Sequence, residues 1–470
     1  MPFYISRPLG SSFTTFLESF AQDSGLPFAT VLNEEQIQQA AKLEGVCFGQ
    51  GAKDVFTPAI TLWAFVGQVL SGRKCCVAAV ARIIVLLAAL GRKACSAATG
   101  AYCRARAKLP EQFLRRLAYQ VGTETEDQAP PSWRWLNRRV MLVDGTTSTL
   151  PDTPSNQLAY PQSRTQKPGL GFPILRLVVL LAFATATVIG AAWGPIRGKE
   201  TGETALLRLL LDQLRAGDVV VADRYYCSYF MIALLRARGV DVAFRLHHQR
   251  RYDFRRGQRV GRSDHIVQWQ RPPRPDWMDE ETYASMPERL TIRELRFQID
   301  EQGCRTHEIV MATTLLDHQA YEKDDIADLY HYRWHVELDL RSIKQTLKMK
   351  ALVCKTPVMA HKELWAHLLG YNLARKAAAQ AAQEHNLTPR QISFAGVVQT
   401  LEAFRDMLIA SSDDHRGTVY EGLFLAIAAH RVADRPNRVE PRRLKRRDDK
   451  YQMLGRPRAE ERAALLSGKA

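Results

Sequence analysis

Apolar residues recur at helical spacing through about the first 130 positions. They then give way to short apolar runs punctuated by turns, and return to helical spacing beyond about residue 320. In the first stretch Asn33, followed by Glu34 and Glu35, predicts a capped helix start. Thr57-Pro58 predicts a second helix through Trp63 and Phe65, and the apolar run after Cys76 predicts a third. The polar, proline-containing GTETEDQAPPSW at 122–133 predicts a linker.

The middle of the chain alternates between strand and helix patterns. Strands are predicted at 140–143, twice within 174–189, at 218–222 and at 241–246, and helices at 202–215 and 228–238. Strand, strand, strand, helix, strand, helix is the order of a ribonuclease-H-like core. Residues 250–305, rich in Arg, Pro and Trp, carry the strand-like pieces HIVQWQ and LTIRELRFQI and predict a β insertion. A strand at 311–316 returns to the core, a helix surrounds Glu337, and an Ala-rich helix spans 361–384. The expected fold class is therefore α/β: a ribonuclease-H-like mixed-sheet core with a β-rich insertion, an N-terminal α-helical domain and a C-terminal helical region. The expected domains are 1–130 (helical, DNA binding), 131–250 with 306–350 (core), 251–305 (insertion), 351–430 (C-terminal helices) and 431–470 (basic tail).

Charge narrows the partner. The chain carries 65 Lys and Arg against 49 Asp and Glu, a net +16, which favours a polyanion, nucleic acid before membrane. Residues 177–193 approach the length of a membrane span, yet Val, Thr and Phe with the alternating FATATV predict two buried strands joined by a tight turn. The eight cysteines are scattered without a CxxC pair, so neither a zinc site nor a secreted disulfide framework is expected. The N-terminal MPFYISRPLGSSF lacks a signal-peptide pattern, and an intracellular protein is expected.

Candidate chemistry sits at strand ends and on one helical stripe. Asp144, in VDGTT, and Asp223, in VADRY, each follow an apolar strand, where ligands of open α/β sheets gather. Tyr330, Arg333, Glu337 and Lys344 fall within roughly a 60° arc of a helix. One acid, two cations and a phenol on one stripe suit a surface where a carboxylate holds a metal and the cations hold phosphates. Two aspartates and a helical glutamate can converge on a pair of Mg2+ ions, the arrangement that activates an attacking oxygen and stabilises a leaving one.

With these residues in view, the chain resembles the DDE transposases of the insertion sequence 4 family. That family carries Tyr-x2-Arg-x3-Glu-x6-Lys, matched by Tyr330, Arg333, Glu337 and Lys344, with its first acid in an Asp-Gly-Thr context and its second in an Asp-Arg context. The stretches TGAYCRARAKLP and MATTLLD are also typical of it. The resemblance implies that Asp144, Asp223 and Glu337 form a metal triad for two Mg2+ ions, with Mn2+ as a substitute. It implies that Tyr330 and Arg333 grip phosphates near the cleaved end and Lys344 the backbone beyond. The 114 positions from Asp223 to Glu337 accommodate the family's β insertion. Some members stack a flipped base of a DNA hairpin on an insertion tryptophan; Trp269 is the candidate here and Trp277 the reserve, against the plain reading of a packed core residue. Trp334 is expected in the core.

The resemblance further implies cleavage at transposon ends and strand transfer into target DNA. The expected partners are terminal inverted repeats and target DNA, bound by a homodimer without any membrane, in a bacterial cytoplasm at the nucleoid. The alternatives are a nuclease without strand transfer and a non-catalytic or domesticated DNA-binding protein. A paired-carboxylate sugar hydrolase fits the charge and the Arg333/Lys344 stripe poorly.

Overall fold

The computed structural model describes residues 32, 34–51, 54–71, 74–89, 93–298, 308–410, 413–433 and 454–467. The expected cap at Asn33 and the tail's basic run from Arg435 to Arg447 lie outside them.

Three strands, β1 (Val140–Thr149), β2 (Ile174–Ala182) and β3 (Val188–Pro195), form an antiparallel meander. β4 (Val219–Ala222) and β5 (Asp241–Arg245) then add in parallel on the other side of β1. This is the ribonuclease-H-like arrangement the element order predicted. The uncharged 177–193 stretch is the β2–β3 hairpin, and Leu177 to Ala182 are fully buried. Strands covered on both faces read as continuous apolar runs, which is why the segment imitates a membrane span. No helix among the described residues is long and apolar enough to cross a membrane.

Successive residues of β1 face opposite ways. Val140 and Leu142 point into the layer of α5 (Glu111–Asp127) and α12 (Pro357–Glu384), whereas Met141 and Val143 point into the layer of α7 (Glu203–Arg208) and α8 (Tyr229–Ala237). α12 starts at a Thr356 cap with Pro357 in its first turn, and is buried on nearly all sides. α2 (Pro58–Leu70), α13 (Phe394–Ala410) and α14 (Asp413–Ala429) pack around it together with α5.

The expected linker is instead the end of α5. Gly122 lies so close to β3 that a Cβ there would meet the Val188 carbonyl oxygen at 2.3 Å. Thr125 and Glu126 are buried and partnered, Thr125 donating to the Val121 carbonyl one turn back and Glu126 accepting from Thr185, while Asp127 and Gln128 stay exposed. A polar composition therefore marked a helix end with a buried polar side towards β3 rather than a free connection. The helix expected at 202–215 is likewise shorter: α7 stops at Arg208, and a 3-10 turn follows at Leu211–Gln213.

The insertion extends the main sheet. β9 (Glu308–Thr313) pairs with β5 on one side and β8 (Arg289–Gln298) on the other, and β7 (Asp264–Gln270) and β6 (Gln258–Gly261) follow. The nine strands of the described residues thus run β3-β2-β1-β4-β5-β9-β8-β7-β6. A buried fork between Arg293 and Asp264, at 2.9 and 2.6 Å, ties β8 to β7.

The single helix expected around Glu337 is three segments. α10 (Lys323–His331) is followed by a tightened turn in which Arg333 bonds back to Tyr330 and Val336 to Arg333. α11 (Trp334–Arg341) then runs into a π-helical stretch, Ser342–Thr346. Tyr330, Arg333, Glu337 and Lys344 therefore do not share one regular helix.

Candidate active site

Asp144 is not past the end of its strand, because antiparallel pairing with β2 carries β1 on to Thr149. It lies past the end of the parallel β1–β4 ladder, whose last pair is Leu142 and Val221. Asp223 follows Ala222, the last residue of β4, so both acids reach the same notch between the two strands. The Asp223 carboxylate accepts the Tyr225 N–H at 2.8 Å, which holds the turn after β4.

Burial pushes the Asp144 carboxyl up to about 6. The Gly145 N–H, at 2.7 Å, and the Arg333 charge oppose the shift, while Asp223 and Glu203 reinforce it. Glu203, at the start of α7, approaches from the other face of β1. A Cβ on Gly145 would lie 2.3 Å from its Cδ, and Tyr226 donates to its carboxylate at 3.3 Å. Burial raises the Glu203 carboxyl too, with Asp223 adding to the rise. Its only sequence signal is an acid in the first turn of the helix after β3.

Glu337 sits on α11, against the edge of β1, and its Oε1 accepts from Arg333 at 2.9 Å. Arg333 also lies 5.7 Å above the ring of Tyr330, which is buried at 6% exposure. Arg245, the last residue of β5, reaches the same phenol. Burial lowers its pKa, and repulsion from Arg224 and Arg333 lowers it further. Three guanidinium groups thus crowd one notch, an arrangement that an anion relieves. Arg245 was not singled out in the sequence, although like Asp223 it ends a parallel strand. Lys344 donates to Thr146 Oγ1 at 2.9 Å, so the π-helical stretch delivers its ammonium two residues from Asp144.

The tryptophans differ from expectation. Trp269 is 4% exposed, its indole N–H bonds Glu294 at 2.8 Å, and Arg250 covers its ring at 3.6 Å. It has no free face for a base, because its position in β7 points into the layer shared with Leu290 and Ile292. Trp277 instead lines an open cleft of about 830 Å³ with Tyr225, Phe230, His247, Arg250 and Arg208, the last 3.8 Å above its ring. Trp334 is 46% exposed and not in the core, since Val336 and Leu340 take the buried face of α11.

As a set, Asp144, Asp223 and Glu203 share one electrostatic field, whereas Glu337 is paired with Arg333. Among the described residues no three His, Cys, Asp or Glu side chains are close enough to hold a metal ion. The donor chemistry nonetheless fits Mg2+: the donors are carboxylate oxygens alone, and burial with neighbouring acids holds the Asp144 and Glu203 carboxyls high, a strain that a cation would relieve.

The profile of the family described as Transposase DDE domain matches residues 135–373. The transposase InsG of insertion sequence element IS4, from Escherichia coli strain K12, is 24% identical over 397 residues, covering 83% of this chain and 85% of that protein. Among solved structures, the piggyBac transposase in its synaptic complex with hairpin DNA aligns with 98% of this chain and 91% of that one, at a TM-score of 0.40 and 9% identity.

Proposed function

This chain belongs to the transposase DDE domain family, and on that premise we propose that it cleaves DNA at the two ends of a mobile element and joins the freed 3′-hydroxyls to target DNA. Asp144, Asp223 and Glu337 would hold two Mg2+ ions, or Mn2+ in their place, which supply activation of the attacking oxygen and charge neutralisation at the leaving one.

What supports this reading most is a half-buried acidic pair, Asp144 and Asp223, beside a crowd of guanidinium groups at the C-terminal end of the parallel β1–β4 pair. Arg333 stands between the Glu337 carboxylate and the Tyr330 phenol, with Arg245 against the same ring. A DNA phosphate entering there takes a forked bond from Arg333 and relieves its repulsion with Arg245, and Glu337 is released from its ion pair. Lys344, tethered to Thr146, orients the backbone beyond the cleaved bond. Burial favours the protonated Asp144 in mildly acidic solution, and as a ligand of Mg2+ the side chain would be the ionised carboxylate. Trp277, with a face on the open cleft, takes the base-stacking role expected of an insertion tryptophan. Joining two element ends requires two active sites, so the acting species is a dimer on DNA.

The test uses fluorescein-labelled duplexes copied from the DNA flanking the gene, incubated with the protein in Mg2+ or EDTA. Nicked and joined products from the unmodified protein in Mg2+, and none from Glu337→Gln at equal DNA binding, are the expected result. Equal binding by both proteins with no cleavage in Mg2+ or Mn2+ refutes it.

A further inference from the structure

Asp339 follows Glu337 by two positions on α11 and points the opposite way, since two residues turn a helix by about 200°. It is 2% exposed, and both of its carboxylate oxygens are taken. Arg375 on α12 donates to Oδ1 at 2.6 Å, and Arg390, in the 3-10 turn Pro389–Gln391, donates to Oδ2 at 3.0 Å. Each arginine has a second anchor. Arg375 bonds the Tyr371 hydroxyl at 3.0 Å, which donates to the Ala186 carbonyl at 2.9 Å. Arg390 bonds the carbonyls of Phe183 and Ala182. Both arms therefore end on the β2–β3 turn. That turn is bonded in its own right to the start of β1, where the Phe183 N–H donates to the Val140 carbonyl at 2.9 Å.

We propose that Asp339, gripped by Arg375 and Arg390, is a positioning residue for DNA cleavage: it sets the rotation of α11, and so the place of the Glu337 carboxylate relative to Asp144. The inference rests on Glu337 being a catalytic carboxylate. α11 has only eight residues, and its apolar anchors are Val336 and Leu340. It enters through the tightened turn at Tyr332–Arg333 and leaves into the π-helical stretch, so neither end continues a regular ladder. Its outer face, Trp334 and Leu338, is exposed and restrains nothing. A short helix held this way can turn about its own axis, and Asp339 is the polar pin that stops it. The bonds run without a gap from α11 through Asp339 and Arg390 to Phe183 and Val140, and along β1 to Asp144. A rotation of about 10° moves a side chain at the rim of a helix, roughly 6 Å off its axis, by about 1 Å. A displacement of about 1 Å costs on the order of 10²-fold in rate when the group must meet a fixed partner.

Two variants test this. Asp339→Asn keeps the shape and removes the charge. The triple variant Asp339→Leu/Arg375→Met/Arg390→Met removes the network but keeps its bulk, and exchanging a buried ion network for packed apolar groups is often neutral or stabilising. Each is compared with the unmodified protein and with Glu337→Gln for thermal midpoint, for affinity to the flanking-end duplex in EDTA, and for single-turnover cleavage in Mg2+ at saturating protein. The proposal expects folded variants that bind DNA within about threefold of the unmodified protein and cleave about 10- to 100-fold more slowly. It also expects Arg375→Lys, which keeps the charge on a single nitrogen without the guanidinium fork, to cleave faster than Arg375→Met at equal folded fraction. A clamp serving stability alone leaves the cleavage rate of every folded variant unchanged. That result, with Glu337→Gln inactive, overturns the positioning role and leaves the reading of Glu337 intact. Full cleavage by Glu337→Gln overturns both.

Discussion

Asp144→Asn should stabilise the protein while removing the cleavage proposed for it, and the gain should depend on pH. Burial, reinforced by Asp223 and Glu203, lifts this carboxyl from its ordinary 3.8 to about 6. At about 1.4 kcal/mol per unit the shift corresponds to roughly 3 kcal/mol, and partial exposure of Asp144 cuts this to about 1–2 kcal/mol. The folded value lies above the unfolded one, so the ionised carboxylate disfavours the folded state. The penalty is absent below pH 3.8, grows between there and about 6, and is full above. Asparagine removes it. In EDTA at pH 8 the thermal midpoint of Asp144→Asn should exceed that of the unmodified protein by about 1–2 °C, and at pH 5 by about half as much. Millimolar Mg2+ then raises the midpoint of the unmodified protein and narrows the gap, because the ion binds the folded state alone. A lower midpoint for Asp144→Asn at pH 8, or a gap that is equal at both pH values, refutes the account of this acid as electrostatically strained.

Four further outcomes follow from the geometry. Gly145→Ala places a Cβ 2.3 Å from Glu203 Cδ and costs about 1 kcal/mol, the low end of overpacking, since the glutamate can swing away from Tyr226. Melting of the Gly145→Ala/Glu203→Ala pair should recover that loss, and a double variant no more stable than Gly145→Ala counts against the contact. Trp269→Ala should cost about 3–5 kcal/mol in urea denaturation, because a buried, hydrogen-bonded indole is removed. Trp277→Ala should cost under about 1 kcal/mol and instead slow processing of element ends, as expected of a side chain on an open cleft. Arg245→Ala should lower the slope of log affinity against log salt by about 1 in titrations with end duplexes, and an unchanged slope removes Arg245 from the phosphate contacts.

Much of the site was legible along the chain because its signals are local. An apolar run followed by an acid drew attention to Asp144 and Asp223, although only Asp223 follows the end of its strand and Asp144 lies within β1. The FATATV alternation separated a buried hairpin from a membrane span. The spacing of Tyr330, Arg333, Glu337 and Lys344 marked the segment proposed to be catalytic, although its helix is interrupted at Tyr332–Arg333 and again at Ser342.

What the sequence could not carry depends on partners distant in the chain. β1 runs past Asp144 because β2 pairs with it, and the notch exists because the β1–β4 ladder stops at Leu142. Whether Trp269 or Trp277 faces solvent turns on a register with Leu290 that no local pattern encodes. Gly122, Thr125 and Glu126 in the polar 122–127 stretch are buried because β3 and Thr185 meet that side of the helix. Glu203 and Arg245 join the site from elements brought together by the sheet, and Asp339 finds its arginines 36 and 51 positions away. By itself the sequence determined which residues are proposed for the chemistry and which faces of its elements are apolar, because periodicity and turn chemistry act over a few residues. Only the tertiary structure decided which charges share a field and which acid is held in place, because Coulomb and hydrogen-bond energies depend on distances in space.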